Sequence, residues 1–271
     1  MQSTQVSPPR VATNGDITQK SAMTLIIAIG CNDGIVMGSD SASTDPITGT
    51  KQAVKKIQQL GKLPVVFGGA GDVGLIQKLE EELNDLEIPR SAKFKLTRRL
   101  VQEACLPDIR AARDNHVPHD AAGYDRPPTA ILLFGCIHNR SPHIFEIEAD
   151  GRDTVYDQNF GFFNAIGSGK ALAQAIMRPY LHRERDLSLG KMLAYRILED
   201  AIELSAAGLA KPIHLYTLTL QGKFTQVENH ELRRLQSQCE LWHELEREVL
   251  EKLIAPAEHD ESEIVLGPYP E

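Results

Sequence analysis

Excess positive charge, paired cysteines and long apolar runs are all missing from this chain, and each absence argues against a class of function. Lys and Arg number 29 against 37 Asp and Glu, a formal net charge of -8. A nucleic-acid partner needs a basic surface to neutralise phosphates, so this balance argues against one. No apolar run approaches the ~20 residues that span a bilayer, so no membrane-crossing helix is expected. The first twenty residues are polar and lack the apolar stretch of a secretory signal. The four cysteines, Cys31, Cys105, Cys136 and Cys239, stand far apart with no Cys-x-x-Cys pair. That pattern suits free thiols in a reducing, cytoplasmic setting. No repeat of fixed period is present. What remains is ordinary for a soluble globular protein: 42% hydrophobic and 24% charged residues over a chain of 271, long enough to bury a substantial core.

Residues 1–22 are rich in Ser, Thr, Gln, Pro and Gly without periodicity, and are read as disordered or removable. From Met23 to Asp40 two apolar runs flank Asn32-Asp33-Gly34, a strong hairpin signal. Its closure brings Thr24, at the head of the first strand, next to Asp40, at the end of the second. Gln52–Leu60 and Leu63–Gly68 read as two further strands of the same antiparallel sheet. Two helices follow, one from Val73 that Pro89 ends, and one from near Ser91 that Pro107 should kink or shorten. A second β block begins at Thr129. It includes a nearly continuous apolar run from Ala130 to Cys136, as in a strand buried on both faces, and leads to Gly167-Ser168-Gly169. Helices over 170–181 and 188–207, strands over 213–220 and 223–226, and a final amphipathic helix over 231–253 complete the order. Strand runs alternating with helix pairs suit layered sheets with helices outside.

Threonine is a weak nucleophile unless a base lies within hydrogen-bond reach. An N-terminal threonine carries its own, an α-amine with an ordinary pKa of about 8. A neighbouring lysine, set by a carboxylate, supports the proton relay. Thr24, Asp40 and Lys56 supply these groups, each in or at the end of a predicted strand. Other motifs carry less. Gly69-Ala70-Gly71-Asp72-Val73-Gly74 matches a dinucleotide fingerprint, but predicted helix follows where a βαβ unit needs a strand. Gly167-Ser168-Gly169-Lys170 lacks the spacing of a phosphate loop. His116 and His119 with Asp114 and Asp120 fall in a polar loop and read as surface residues. No metal and no cofactor is expected. Trp242, the single tryptophan, lies on the apolar stripe of the last helix, which packs on its own domain or on a second subunit.

The order of these motifs resembles that of a proteasome β-type subunit or its bacterial HslV-like homologue, within the N-terminal nucleophile hydrolases. The elements that carry the resemblance are Thr24, the Asn32-Asp33-Gly34 turn, Ser39-Asp40-Ser41-Ala42-Ser43-Thr44, Lys55-Lys56-Ile57, Gly68 to Gly74, the strand Ala130 to Cys136, Ser141 to Phe145, and Gly167-Ser168-Gly169. The match covers about 24 to 226. It implies an α+β fold, a four-layer αββα sandwich of two antiparallel sheets flanked by helices. It divides the chain into a 1–23 extension or propeptide, a catalytic domain at 24–230, and a C-terminal helix and tail at 231–271. It implies Thr24 as nucleophile, Asp40 and Lys56 as its supporting pair, Ser168 ordering the amine, the Gly69 amide facing the oxyanion, and Ser43 and Val54 lining the side-chain pocket. The implied activity is a threonine-type endopeptidase, acting on peptides or unfolded proteins within a homo-oligomeric ring, with an ATP-dependent unfoldase as a candidate partner. The alternatives are an amidohydrolase on a small amide and a catalytically silent scaffold subunit. Met23, where self-processing subunits carry glycine, suggests translation from Met23, with methionine removal exposing Thr24.

Overall fold

The computed structural model describes residues 24–44, 51–89, 91–116, 127–204 and 208–254. The expectations for residues 1–23 and for His119 and Asp120 lie outside them. Strands β1 (Ile26–Cys31) and β2 (Gly34–Ser39) form the expected hairpin, with Cys31 opposite Gly34 and Ile26 opposite Ser39. The reason for glycine differs from the expected one. Gly34 already belongs to β2, and a Cβ there would stand 2.4 Å from the Leu218 carbonyl oxygen, so close packing of the neighbouring strand requires it, not turn dihedrals.

The next segment departs from expectation. The single strand expected over 52–60 is split. β3 (Ala42–Thr44) and β4 (Lys51–Ala53) pair as a separate two-stranded ribbon. After Lys56 the chain enters β5 (Ile57–Gln59), which pairs with β6 (Val65–Gly71) in another sheet. The first strands therefore divide between two sheets instead of sharing one. α1 (Val73–Asn84) starts at Asp72, whose side chain accepts from the Leu75 N–H, a cap of the kind worth about 1 kcal/mol. α2 (Phe94–Asp114) passes through Pro107 without ending. β7 (Ala130–His138), β8 (Ser141–Ile147) and β9 (Asp153–Tyr156) extend the second sheet in the order β5-β6-β7-β8-β9. β9, short and only half-buried, was not foreseen because it carries no apolar alternation. β10 (Phe163–Ile166), α3 (Lys170–Met177), α4 (Leu187–Leu204), β11 (His214–Thr219), β12 (Phe224–Gln226) and α5 (Asn229–Ile254) follow. The first sheet reads β10-β1-β2-β11-β12, all antiparallel.

Strand alternation sorts the core into three slabs. Ile26, Ala28, Ile35 and Met37 face Ile57, Val66, Leu133 and Ile144 between the sheets. Ile27, Ile29 and Val36, on the other face of the hairpin, meet α3, α4 and α5 through Met177, Leu193, Leu198 and Leu235. Phe67, Phe134 and Phe145 meet α1 and α2 through Leu79, Leu83, Val101 and Cys105. The result is helix, sheet, sheet, helix. Each fully buried large side chain contributes about 1.5 to 3 kcal/mol. Arg196 of α4 forks onto Glu246 of α5 at 2.9 and 2.7 Å, with its guanidinium 4.3 Å from the Trp242 ring. Trp242 is thus bound to its own domain, while Leu241, Leu245, Val249 and Leu253 beyond it are exposed. Among the described residues no helix is long and apolar enough to cross a membrane.

All four cysteines are buried, and burial pushes each thiol up to about 12. The thiolate is the reactive form, so a thiol reagent at neutral pH is expected to modify none of them in the native protein and all four after unfolding. Fast native labelling of any one would contradict this packing.

Candidate active site

Thr24 stands two residues before β1 and Asp40 directly after β2. The hairpin register continues past the strand ends: the Asp40 N–H donates to the Leu25 carbonyl at 3.2 Å. The Asp40 side chain is fully buried. Its Oδ1 accepts from the Leu25 N–H at 2.9 Å and its Oδ2 from the Ala42 N–H at 2.9 Å. These bonds fix the carboxylate with one oxygen turned to Lys56, whose Nζ donates to Oδ1 at 2.7 Å. The same Nζ reaches the Thr24 Oγ1 at 3.3 Å. The Lys56 side chain is 7% exposed. Burial pushes its pKa below the ordinary lysine value, and the Asp40 charge and hydrogen bond oppose that shift without cancelling it.

The other side of Thr24 is held by the turn between β10 and α3. Its backbone nitrogen donates to the Ser168 Oγ at 3.1 Å, and the Gly169 N–H donates to its carbonyl at 3.3 Å. Gly167 has φ of +92°, and a Cβ there would lie 2.1 Å from the Thr24 carbonyl oxygen. Glycine is required at this position on both counts. The structure therefore brings together Thr24, Asp40, Lys56 and Ser168.

The remaining candidates are less closely joined. Gly69 lies in β6 opposite Leu132, and its side-chain position faces Ile76 of α1. Gly68, beside it, is the residue that lies against the Lys56 carbonyl and Ile26. Ser43 pairs with Gln52 in the ribbon; its side chain lies outside the described residues. Val54 is half-buried and donates its N–H to the Ser41 carbonyl at 3.0 Å.

Two features were missed in the sequence. Ser41 ties the ribbon to the loop before β11 through its N–H and Oγ, both donating to the Ala210 carbonyl. His214 of β11 stands opposite Ser39, close enough to feel Lys55, Asp40 and Lys56. Burial is the main cause that lowers its pKa, with Lys55 second. Neither position carries a local signal, because each acts through a partner distant in sequence. The glycine-rich segment proves to be strand, Asp72 cap and helix, with α2 after it, so the strand of a dinucleotide unit does not follow. Among the described residues no group of three or more His, Cys, Asp or Glu is placed to hold a metal ion.

The family model of the proteasome subunit matches residues 21–217. The chain belongs to the proteasome subunit family. Proteasome-family relatives align over most of its length. The proteasome subunit beta of Methanosarcina barkeri is 22% identical over 214 residues, covering 79% of this chain and 94% of its own. The proteasome subunit beta 1 of Thermococcus kodakarensis is 26% identical over 219 residues, covering 81% and 99%. Among solved structures, Anbu, an ancestral beta-subunit, from Yersinia bercovieri superposes with a TM-score of 0.66 at 16% identity, covering 84% of this chain and 97% of that one. A Gly-1 mutant of Anbu from Hyphomicrobium sp. strain MC1 gives 0.64 at 18%, covering 85% and 99%. These superpositions show that the chain shares its fold with those beta-subunits.

Proposed function

We propose that this chain is a threonine-type peptidase subunit that hydrolyses peptide bonds through an acyl-ester on Thr24. The observation that carries the reading is the line of three side chains: Thr24 Oγ1, Lys56 Nζ at 3.3 Å from it, and the buried Asp40 carboxylate at 2.7 Å from that nitrogen. Removal of Met23 turns the Thr24 nitrogen into an α-amine, and Ser168 already accepts a hydrogen bond from that atom.

In the proposed reaction the amine takes the Oγ1 proton while Lys56 stabilises the developing alkoxide. Oγ1 then bonds to the scissile carbonyl carbon, and the carbonyl oxygen takes up the electron pair. The Gly69 amide is assigned to that oxyanion, the kind of interaction that is usually a large share of acyl-transfer catalysis. Collapse breaks the C–N bond, and the departing nitrogen receives the proton. Water then cleaves the ester by the same relay. Ser43 and Val54 are assigned to the pocket for the substrate side chain. Membership of the proteasome subunit family supports a ring-forming assembly that takes peptides; we further assign this subunit to a homo-oligomeric ring in the cytoplasm acting on peptides or unfolded chains, with an ATP-dependent unfoldase as a candidate partner.

The test combines N-terminal sequencing of the native protein with exposure to a peptide electrophile directed at N-terminal threonine. The expected result is a chain beginning at Thr24 that carries the adduct on that residue. A native chain that retains Met23, or adduct elsewhere with Thr24 free, defeats the proposal.

A further inference from the structure

Glu146 is an anomaly in β8. Its neighbours alternate in the usual way, with Ile144 turned to the space between the sheets and Phe145 and Ile147 to the helices. Glu146 falls in step with Ile144, so it places a carboxylate in the same inter-sheet space, 3% exposed. A buried charge is costly unless paired and hydrogen-bonded. Here three donors converge on one oxygen, Oε2: the Tyr156 hydroxyl at 2.9 Å, the Asn164 side-chain amide, and Lys170 Nζ at 3.2 Å.

The positions of two of these donors give the cluster its meaning. Asn164 lies in β10 just before the Gly167-Ser168-Gly169 turn, and Lys170 is the first residue of α3 just after it. Glu146 therefore grips the turn at both ends. It does so from the second sheet, whereas the turn belongs to the first. On its far side the same turn holds Thr24 through the Ser168 Oγ, the Gly169 N–H and the close approach of Gly167. The turn joins the two groups of contacts, beside the β1–β10 ladder in which Asn164 stands opposite Ala28, and Gly167 leaves it no slack against the Thr24 carbonyl.

We propose that Glu146 and Lys170 are a positioning pair for the nucleophile: they hold the Ser168 turn in the register that orients the Thr24 nitrogen toward its own hydroxyl. Both act through the turn and not on the reacting atoms. The inference rests on the threonine-peptidase reading and deepens it, by extending the site into the second sheet through a buried carboxylate. A purely structural carboxylate would affect stability and leave the reactivity of Thr24 alone. A positioning carboxylate affects reactivity while the subunit stays folded.

The experiment uses the assembled native protein, with Lys170→Met, Lys170→Arg and Glu146→Gln. Lys170 is 34% exposed, so methionine leaves the core filled, and Gln keeps the volume of Glu146. The readouts are the rate of Thr24 labelling by a threonine-directed electrophile, kcat and KM on a short peptide, and the urea midpoint. Misplacement of a reacting group by about 1 Å costs on the order of 100-fold, and a loosened turn moves by less. Labelling and kcat in Lys170→Met and Glu146→Gln are therefore expected to fall by about fivefold or more, with KM unchanged and Lys170→Arg near the parent. If either variant falls by less than that while the parent is labelled normally, this proposal is overturned and the nucleophile assignment stands. If the parent itself takes no label at Thr24, the nucleophile assignment fails, and this inference fails with it.

Discussion

Thr24→Ala is expected to abolish peptide hydrolysis, by on the order of 10⁴-fold or more, in a subunit that folds and assembles as the parent does. The contacts explain both halves. The Thr24 side chain receives one hydrogen bond, from Lys56. The bonds that seat the residue use its backbone, through Ser168 and Gly169, and alanine keeps them. The stability cost is that of a single hydrogen bond, about 1 kcal/mol. Lys56→Ala should be nearly as severe for turnover. Because the two act as a unit, the double variant should be about as slow as the worse single one. Steady-state cleavage of a fluorogenic peptide by the assembled protein measures all three. Residual activity within tenfold of the parent in Thr24→Ala would place the nucleophile elsewhere, and multiplicative losses would show that Lys56 acts independently.

The second large effect is on stability. Asp40→Asn leaves Lys56 inside the protein without its counter-charge, and breaking a buried pair from one side costs about 3 to 5 kcal/mol. The pH dependence follows from the lysine. Burial already sets the folded pKa of Lys56 below its ordinary value of 10.5, and Asp40 is what pulls it back up. Without Asp40 the folded pKa drops further while the unfolded value stays put. Between the two the unfolded chain binds more protons, so stability rises with pH across that window. The variant's deficit should be full on the acid side of the lowered pKa and shrink as pH climbs toward 10.5. Urea midpoints of parent and variant at about pH 7 and about pH 9.5 test this. A deficit that does not change between them would mean that the backbone bonds of Asp40 to Leu25 and Ala42, not its charge, carry the loss.

The sequence carried the hairpin and its consequence plainly. Apolar runs on both sides of Asn32-Asp33-Gly34 placed Thr24 beside Asp40, and the structure joins them through the Leu25 amide. Lys56 and the Ser168 turn came instead through the order of motifs, Lys55-Lys56-Ile57 and Gly167-Ser168-Gly169, that carries the family resemblance. The hidden part was what divides the sheets. Val54-Lys55-Lys56 reads as mid-strand, since no Gly, Pro, Asn, Asp or Ser interrupts Gln52 to Leu60, yet the chain changes sheet there. Only packing decides that, as Ile57 turns inward to meet Gly68. Pro107 misled for a related reason. A proline costs a helix one bond, but α2 is pinned by Val101, Cys105 and Ile109 against the second sheet, and tertiary burial outweighs that loss. Glu146 carries no signal of its own, because a charge in an alternating strand reads as its solvent face and nothing local says that the face is covered.

Thr24 and Asp40 hang from one sheet and Lys56 from the other. The 3.3 Å gap between hydroxyl and ammonium is therefore a gauge of how the two sheets sit on each other. The inter-sheet slab that sets it is thin and closely fitted: a Cβ at Gly135 would already stand 3.0 Å from Ile35. Tolerance to sequence drift must then be unevenly distributed. Helix-facing positions can trade volume with helices that shift to suit. A methylene gained or lost at Ile35, Met37, Leu133 or Ile144 falls in that slab, between the sheets that carry the two halves of the site. The thickness of this one slab is what keeps the Thr24 hydroxyl within reach of Lys56.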